Sequence, residues 1–131
     1  MGNVLTDRVI IGTMGELLVQ TRLLQYGVQA APPIRDSGND LIAVKGEAFR
    51  GVQVKTTTGT RISRVCLPAH YHIVALVYLE VIDGDVLLDQ SDIFLVPRDV
   101  VDQNYGRLPA DLELFQISQP HVDGLFQQSL Q

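Results

Sequence analysis

The sequence of 131 residues contains no tryptophan and only one cysteine, and its aromatic fraction is 6%. One cysteine excludes an internal disulfide and a zinc site built from several cysteines, so we expect Cys66 to be a buried thiol. The longest apolar run, residues 73–79, is far shorter than the roughly 18 residues that a membrane-spanning helix needs. Asp7 and Arg8 interrupt any secretory apolar segment near the start. These features predict a cytoplasmic protein with no membrane partner.

Basic residues are also scarce, since 10 Lys and Arg stand against 15 Asp and Glu for a net charge of -5. Phosphate binding depends on Lys and Arg, so the total charge argues against a nucleic-acid partner. The distribution of charge reverses that conclusion. Residues 35–64 contain six of the basic residues and only three acids, whereas residues 65–131 contain two basic residues and ten acids. This clustering predicts either a face that attracts phosphate or an ordinary solvated surface on which basic residues happen to be close in sequence.

The length and the hydrophobic fraction of 46% are typical of one globular domain spanning residues 1–131. Apolar periodicity and turn residues predict an α/β order of elements. A long helix is expected at about residues 8–26, with a possible later start at the Thr13–Glu16 capping box. It is followed by a short extended piece, strands at 40–44, about 49–57, 72–81 and 92–97, a short helix in "PRDVVD", a strand at 112–117 and a weakly patterned tail.

Two polar residues, Gln53 and Lys55, stand two positions apart in "FRGVQVKTTTGT" and therefore lie on one side of a strand. The preceding strand begins at Asp40, and a short polar turn joins the two strands. Consecutive strands joined in this way most often pair antiparallel, which places Asp40 near Gln53 and Lys55. Glu16 lies in the N-terminal part of the first helix. The pattern predicts a compact polar site made from these four residues.

The chemistry of this set suits a hard cation beside a phosphate. Mg²⁺ prefers oxygen ligands and retains several waters, so one or two carboxylates are enough to bind it. Asp40 would be the main ligand, the amide oxygen of Gln53 a neutral one, and Glu16 a direct or water-mediated one. Lys55 would position or deprotonate an attacking water, or offset charge on the phosphate oxygens.

Other candidate sites have weaker support. His70 and His72 have the spacing of a two-histidine metal site, but no third ligand is close in sequence. The acid-rich stretch "DGDVLLDQSD" lacks the ligand register of a calcium-binding loop and is better interpreted as a solvated hairpin.

The segments "GELL", "GND-LIAV" and "FRGVQVKT" resemble the PD-(D/E)XK nuclease superfamily, which has the restriction-endonuclease fold. In that pattern Glu16 matches the helix acid, Asp40 the strand Asp, and Gln53 and Lys55 the (D/E) and K positions. Asn39 replaces the Pro of the motif name and Gln53 replaces an acid. The Q-x-K variant is similar to bacterial intron-encoded homing endonucleases in particular.

The resemblance implies a restriction-endonuclease-like core, with a central mixed β-sheet flanked by helices, and an endonuclease that hydrolyses double-stranded DNA with Mg²⁺, for which Mn²⁺ substitutes. Two alternatives are a structure-specific nuclease similar to Holliday-junction resolvases and a catalytically inactive DNA-binding module of the same fold. A double-strand break needs two opposed sites, so we expect a homodimer or a dimer of dimers with contacts largely after residue 70. The residues expected to contact DNA are Arg35, Ser37, Arg50, Thr56, Thr58, Arg61 and Arg64.

Overall fold

The computed structural model describes residues 7–35, 38–59, 61–62 and 65–127. Within these described ranges, three helices, a 3₁₀ helix and five strands follow one another in an α/β order. They are α1 (Arg8–Gln25), β1 (Gln29–Ala31), β2 (Leu41–Lys45), β3 (Ala48–Thr57), β4 (Ile73–Ile82), β5 (Asp85–Pro97), α2 (Arg98–Gln103), the 3₁₀ helix (Leu112–Phe115) and α3 (Gln119–Leu125). Among the described residues, no helix is long and apolar enough to cross a membrane.

The strands form one mixed sheet in the order β1-β2-β3-β4-β5. All neighbours pair antiparallel except β3 and β4, which are parallel. The predicted α/β fold with a central mixed sheet and flanking helices is therefore confirmed. The predicted antiparallel pairing of β2 with β3 is also confirmed, and its register sets Leu41 opposite Val52.

The helix α1 begins one residue after Asp7, whose carboxylate accepts hydrogen bonds from the backbone N–H groups of Val9 and Ile10 at 2.9 and 3.2 Å. This N-cap satisfies two of the unpaired donors of the first turn. The helix therefore starts at Arg8 and not at the Thr13–Glu16 capping box. It ends at Gln25, and Gly27 shortly after the helix has a φ of +84°, a conformation that glycine adopts without strain.

Apolar side chains cover both faces of the sheet, and β4 contributes to both. Ile73, Ala75 and Val77 belong to the cluster that includes the buried residues of α1, whereas Val74 and Leu76 belong to the cluster beneath α2 and the 3₁₀ helix. The prediction that β4 is a central strand buried on both faces is confirmed.

The prediction of a strand at residues 112–117 was wrong. The segment contains the 3₁₀ helix Leu112–Phe115, and only Gln116 forms a bridge, with Phe94. Strand alternation would set Leu112 and Leu114 on the same face. The structure instead buries Leu112 and leaves Leu114 70% exposed. Phe115 packs with Leu112, as expected from three residues per turn.

Three smaller expectations also need correction. The hairpin at residues 83–85 leads directly into one strand of 13 residues, β5, and not into a separate strand at 92–97. The weakly patterned tail contains α3, which Ser118 caps by accepting a hydrogen bond from the backbone N–H of His121 at 3.2 Å. Cys66 is exposed and not buried, because it lies in the connection between β3 and β4.

A glycine allows α1 to lie directly on β3. Gly15 is buried in α1, and a Cβ atom at this position would lie 1.7 Å from the hydroxyl oxygen of Thr56. Any side chain here would force the helix away from the strand or the threonine out of its place. The contact therefore fixes the height of α1, and of the neighbouring Glu16, above the sheet.

We expect Gly15→Ala to lower the free energy of unfolding by about 1–3 kcal/mol, the usual cost of overpacking a tight contact. Gly12→Ala is the matched control, since nothing lies within 4 Å of its added Cβ atom. That change should raise the free energy of unfolding by up to about 1 kcal/mol, because alanine favours helix. Urea unfolding measures both values. Equal effects of the two substitutions would show that the contact with Thr56 does not constrain the helix.

Candidate active site

Asp40 is held at the start of β2 by two hydrogen bonds to β3. Its backbone N–H donates to the carbonyl of Val52 at 3.1 Å, and its Oδ2 accepts from the backbone N–H of Val54 at 2.8 Å. Val54 lies between Gln53 and Lys55 in β3. The carboxylate of Asp40 is therefore fixed beside the Q-x-K segment, where the sequence predicted it.

Gln53 is one of only two buried polar residues among the described parts of the chain, with 5% of its surface exposed. Its Nε2 donates to the carbonyl of Gly38, in the loop that leads to Asp40. Because this bond uses the amide nitrogen, the oxygen is the only side-chain atom of Gln53 that can bind a cation. Gln53 thus connects β3 to the loop that positions Asp40.

Glu16 follows the buried Gly15 in the N-terminal half of α1, and it is partly buried. Burial is the larger cause that raises the pKa of its carboxyl group above the ordinary value, and the negative charge of Asp40 is the second cause. The second effect requires that the two carboxylates lie close enough to repel each other. Glu16 and Asp40 therefore lie within electrostatic reach of each other.

Lys55 lines a groove of about 640 Å³ between the N-terminal turns of α1 and the end of β3. Arg8 and Thr58 line the same groove, which adds a second cation to it. Arg8 was not predicted to contribute to the site, because it lies far from the basic segment 35–64 in the sequence. Its position at the start of the helix that contains Glu16 is the sequence feature that could have indicated this role.

The donor set fits a magnesium-type cation. Two carboxylates repel each other here, and a cation between them would relieve that repulsion and offset the cost of burying Glu16. Among the described residues, no group of three or more His, Cys, Asp and Glu side chains could hold a metal ion. A site at this position would therefore use two acids and the neutral oxygen of Gln53, as the Q-x-K pattern implies.

No protein-family model matches this sequence, and no curated protein matches it. Among solved structures, a bacterial homing endonuclease, I-Ssp6803I, is similar to this chain with a TM-score of 0.58 and 15% identity. The alignment covers 84% of this chain and 86% of that one. The two chains share a fold. At this identity the likeness establishes the arrangement of the mixed sheet and its flanking helices, and the chemistry must come from the residues themselves.

The residues expected to contact DNA differ in their surroundings. Arg35 is exposed. Arg50 donates to the backbone carbonyls of Leu125 and Gln127 at 3.0 and 2.7 Å, so it holds the C-terminal end of α3. Arg61 is exposed and donates to the carbonyl of Ala110 at 3.0 Å.

The hydroxyl-bearing residues of this set also divide. Both Thr56 and Thr58 line the groove with Lys55, but the hydroxyl oxygen of Thr56 is buried and has no hydrogen-bond partner among the described residues. Ser37 and Arg64 lie outside the described residues. Thr58 and Arg35 are therefore the two best placed for contact with a phosphate backbone.

Two residues help to position the site in ways that were not predicted from the sequence. Asn39 donates to the carbonyl of His70 at 3.2 Å and lies across Gly51, where an added Cβ atom would come within 2.8 Å of it. His72 accepts a hydrogen bond from the backbone N–H of Gly51 at 2.8 Å. Burial, followed by the charges of Arg50 and Arg98, lowers the pKa of His72. His72 is therefore a neutral structural acceptor, and His70 contributes its backbone.

We expect Glu16→Gln to raise the free energy of unfolding at pH 7 in metal-free buffer. Folding raises the pKa of Glu16, so its contribution to stability is fully present below the ordinary value of 4.5 and is lost as the pH rises through the folded pKa. The advantage of glutamine should therefore shrink at pH 4.

Urea unfolding at pH 4 and pH 7 measures this difference. Glu47→Gln, in the exposed turn between β2 and β3, is the control for removal of one negative charge. If both substitutions change the unfolding free energy equally at both pH values, Glu16 does not experience burial beside Asp40.

Proposed function

We propose that this chain is a metal-dependent endonuclease that hydrolyses phosphodiester bonds in double-stranded DNA, of the site-specific homing type. The observation that carries the proposal is the fixed position of the Asp40 carboxylate on the Val54 N–H, between Gln53 and Lys55. The second carboxylate, from Glu16, lies within its electrostatic reach. The fold shared with a bacterial homing endonuclease supports the same activity.

Asp40, Gln53 and Glu16 would hold Mg²⁺, or Mn²⁺ in its place. The bound cation supplies Lewis-acid stabilisation of the charge that develops on the phosphate oxygens. Asp40 contributes the main negative charge, and its backbone hydrogen bonds keep the carboxylate in place before the substrate arrives. Such preorganisation lowers the reorganisation needed during the reaction.

Lys55 is the residue of the proposed mechanism that acts on the water and the phosphate. Its ammonium group orients the attacking water and offsets negative charge on the phosphorus oxygens. It lies in the groove with Arg8, so the substrate phosphate would enter a positively charged channel. Since Lys55 follows Val54 directly, the strand that holds Asp40 also sets the position of the lysine.

An amide at position 53 has a specific advantage over a carboxylate. Gln53 donates to the carbonyl of Gly38, and a glutamate here would place two oxygens against each other. Compared with a glutamate, Gln53 therefore lacks one negative charge for binding a cation, but it makes a hydrogen bond that holds the loop before Asp40.

The charge distribution favours DNA as the substrate. Arg8, Lys55 and Thr58 line one groove, and Arg35 is exposed in the loop before Asp40. One site of this kind hydrolyses one strand, so a double-strand break requires a second copy of opposed polarity. The proposed enzyme therefore acts as a homo-oligomer, either a dimer or a dimer of dimers.

We expect Lys55→Ala to lower the cleavage rate by about 10²–10⁴ without a large loss of DNA affinity, because Lys55 acts on the reaction and not mainly on the duplex. The matched control is Lys45→Ala, which removes a lysine from the neighbouring strand that is paired to Asp123 at 2.5 Å. Single-turnover cleavage and gel retardation measure the two effects. Wild-type cleavage by Lys55→Ala would remove this residue from the mechanism.

The assay uses a plasmid library with Mg²⁺, compared with EDTA, followed by sequencing of the ends. One defined cut in Mg²⁺ supports a site-specific enzyme. Preferential cutting of branched DNA would instead indicate a junction nuclease, and retardation of DNA without any cutting would indicate an inactive binding module.

A further inference from the structure

A pocket of about 420 Å³ lies where β4 begins and β5 ends, between the start of α2 and the end of α3. We call it the Arg98 pocket. Its lining includes Arg50, Tyr71, His72, Arg98, Asp99 and Leu125. Two arginines against one acid make this lining positive at pH 7. Residues 65–131 contain only two basic residues against ten acids, so a positive pocket in this part of the protein is unexpected.

Three contacts hold the guanidinium group of Arg98 in place. Its Nη1 donates to the carbonyl of Ala69 at 2.8 Å, its Nε donates to Oδ2 of Asp102 at 3.4 Å, and the group lies 4.9 Å from the centre of the Tyr71 ring. Its Nη2 makes no hydrogen bond to the described part of the chain, and 42% of the side chain is exposed. A guanidinium group has five N–H donors in a rigid plane, so Arg98 keeps fixed donors for an anion.

His72 adds a neutral donor to the pocket. Its Nδ1 accepts a hydrogen bond from the backbone N–H of Gly51 at 2.8 Å, so the one proton of the neutral ring is on Nε2. His72 is exposed, and its Nε2 has no hydrogen-bond partner among the residues that the structure describes. Partial burial is the larger cause that lowers the pKa of His72, and the charges of Arg50 and Arg98 follow. Both guanidinium groups therefore lie within electrostatic reach of the ring.

The other two charged residues of the pocket supply charge and leave the donating to Arg98 and His72. All three side-chain nitrogens of Arg50 donate to backbone carbonyls, so Arg50 contributes mainly its positive charge. Asp99 accepts a hydrogen bond from the backbone N–H of Val100 at 3.0 Å, which occupies one of its oxygens. The two arginines would repel a metal cation. A phosphate group has the negative charge and the several acceptor oxygens that these donors require.

The Arg98 pocket and the candidate active site share the strand β3. In the order of the strand, Arg50 lines the pocket, Gln53 belongs to the proposed cation site, and Lys55 lines the groove. At about 3.3 Å per residue, Arg50 lies about 10 Å before Gln53 and Lys55 about 7 Å after it. One strand of DNA carries a phosphate for about every 3.4 Å of the helix axis. A strand whose scissile phosphate lies at the cation site therefore has another phosphate at the distance of the pocket.

We propose that the Arg98 pocket binds a backbone phosphate of the DNA, about three nucleotides from the scissile bond. The phosphate accepts hydrogen bonds from the guanidinium group of Arg98 and from the Nε2–H of His72. The source of the phosphate rests on the proposed function, whereas the pocket and its donors do not. A phosphate contact carries no sequence information, so the pocket fixes the register and the orientation of the DNA strand across the site.

The salt dependence of DNA binding tests this contact. Fluorescence anisotropy measures binding at several NaCl concentrations in EDTA, which prevents metal-dependent cleavage. Each phosphate that a cation neutralises adds about 0.9 to the slope of log K against log salt concentration. We expect Arg98→Gln to weaken binding and to lower this slope by about 1. The matched control is Arg107→Gln, which removes an exposed arginine outside the pocket and should leave the slope unchanged.

A titration of the wild-type protein with inorganic phosphate, followed by NMR, tests the pocket without DNA and without a substitution. We expect the ring signals of His72 and the Nε–H signal of Arg98 to shift with phosphate, and to shift much less with chloride at the same ionic strength. The Nε–H signal of Arg107 should stay in place. Unchanged signals of His72 and Arg98 would overturn the pocket as a phosphate site. This titration also replaces the salt series if Arg98→Gln fails to fold by circular dichroism.

The two experiments separate this inference from the proposed function. Equal salt slopes for Arg98→Gln and Arg107→Gln in a protein that cuts DNA would overturn the phosphate contact and leave the nuclease activity standing. A lower slope for Arg98→Gln in a protein that binds DNA but never cuts it would support the contact and overturn the activity. Phosphate shifts at His72 in a protein that does not bind DNA would overturn the assignment of the pocket to DNA.

Discussion

The hydrogen bond from the Val54 N–H to Oδ2 of Asp40, at 2.8 Å, is the interaction on which the candidate site depends. It joins Asp40, the residue that precedes β2, to the middle of β3. Asp40 lies just beyond Leu41 and Val52, which form the last residue pair between these two strands. The antiparallel register of these strands makes the bond possible, because it brings Asp40 level with Gln53. A slip of one residue would turn Asp40 away and move the apolar residues of β2 out of the core. Core packing therefore protects the geometry of the carboxylate.

Close contacts at two glycines also hold the residues of the candidate site in place. Gly15 lets α1 approach Thr56, which sets the height of Glu16, and Gly51 leaves room for Asn39 beside Asp40. Both glycines act through the absence of a side chain at a crowded point. The burial that raises the pKa of Glu16 follows from this approach of helix to strand. The tight packing of the backbone around them thus keeps Glu16 within reach of the charge of Asp40.

Sequence patterns predicted the parts of this structure that depend on local periodicity and short connections. The long helix, the pairing of β2 with β3 and the two-sided burial of β4 follow from such signals. The conformation of residues 112–117 was not predicted correctly. An alternating pattern over four residues fits both a strand and a 3₁₀ helix, and tertiary packing determines which of the two forms. The roles of Asn39 and His72 depend on contacts between residues distant in sequence, and single-sequence reasoning has no signal for those.

The most direct test of the cation site is a titration with Mn²⁺ followed by NMR, because paramagnetic broadening falls steeply with distance from the ion. We expect the backbone amide of Val54 and the side-chain amide of Gln53 to broaden first, at less than one equivalent, and to stay sharp in Asp40→Asn. Broadening that begins at the acidic turn around Asp83 and Asp85 and leaves Val54 unaffected would contradict the assignment of Asp40 as the main ligand.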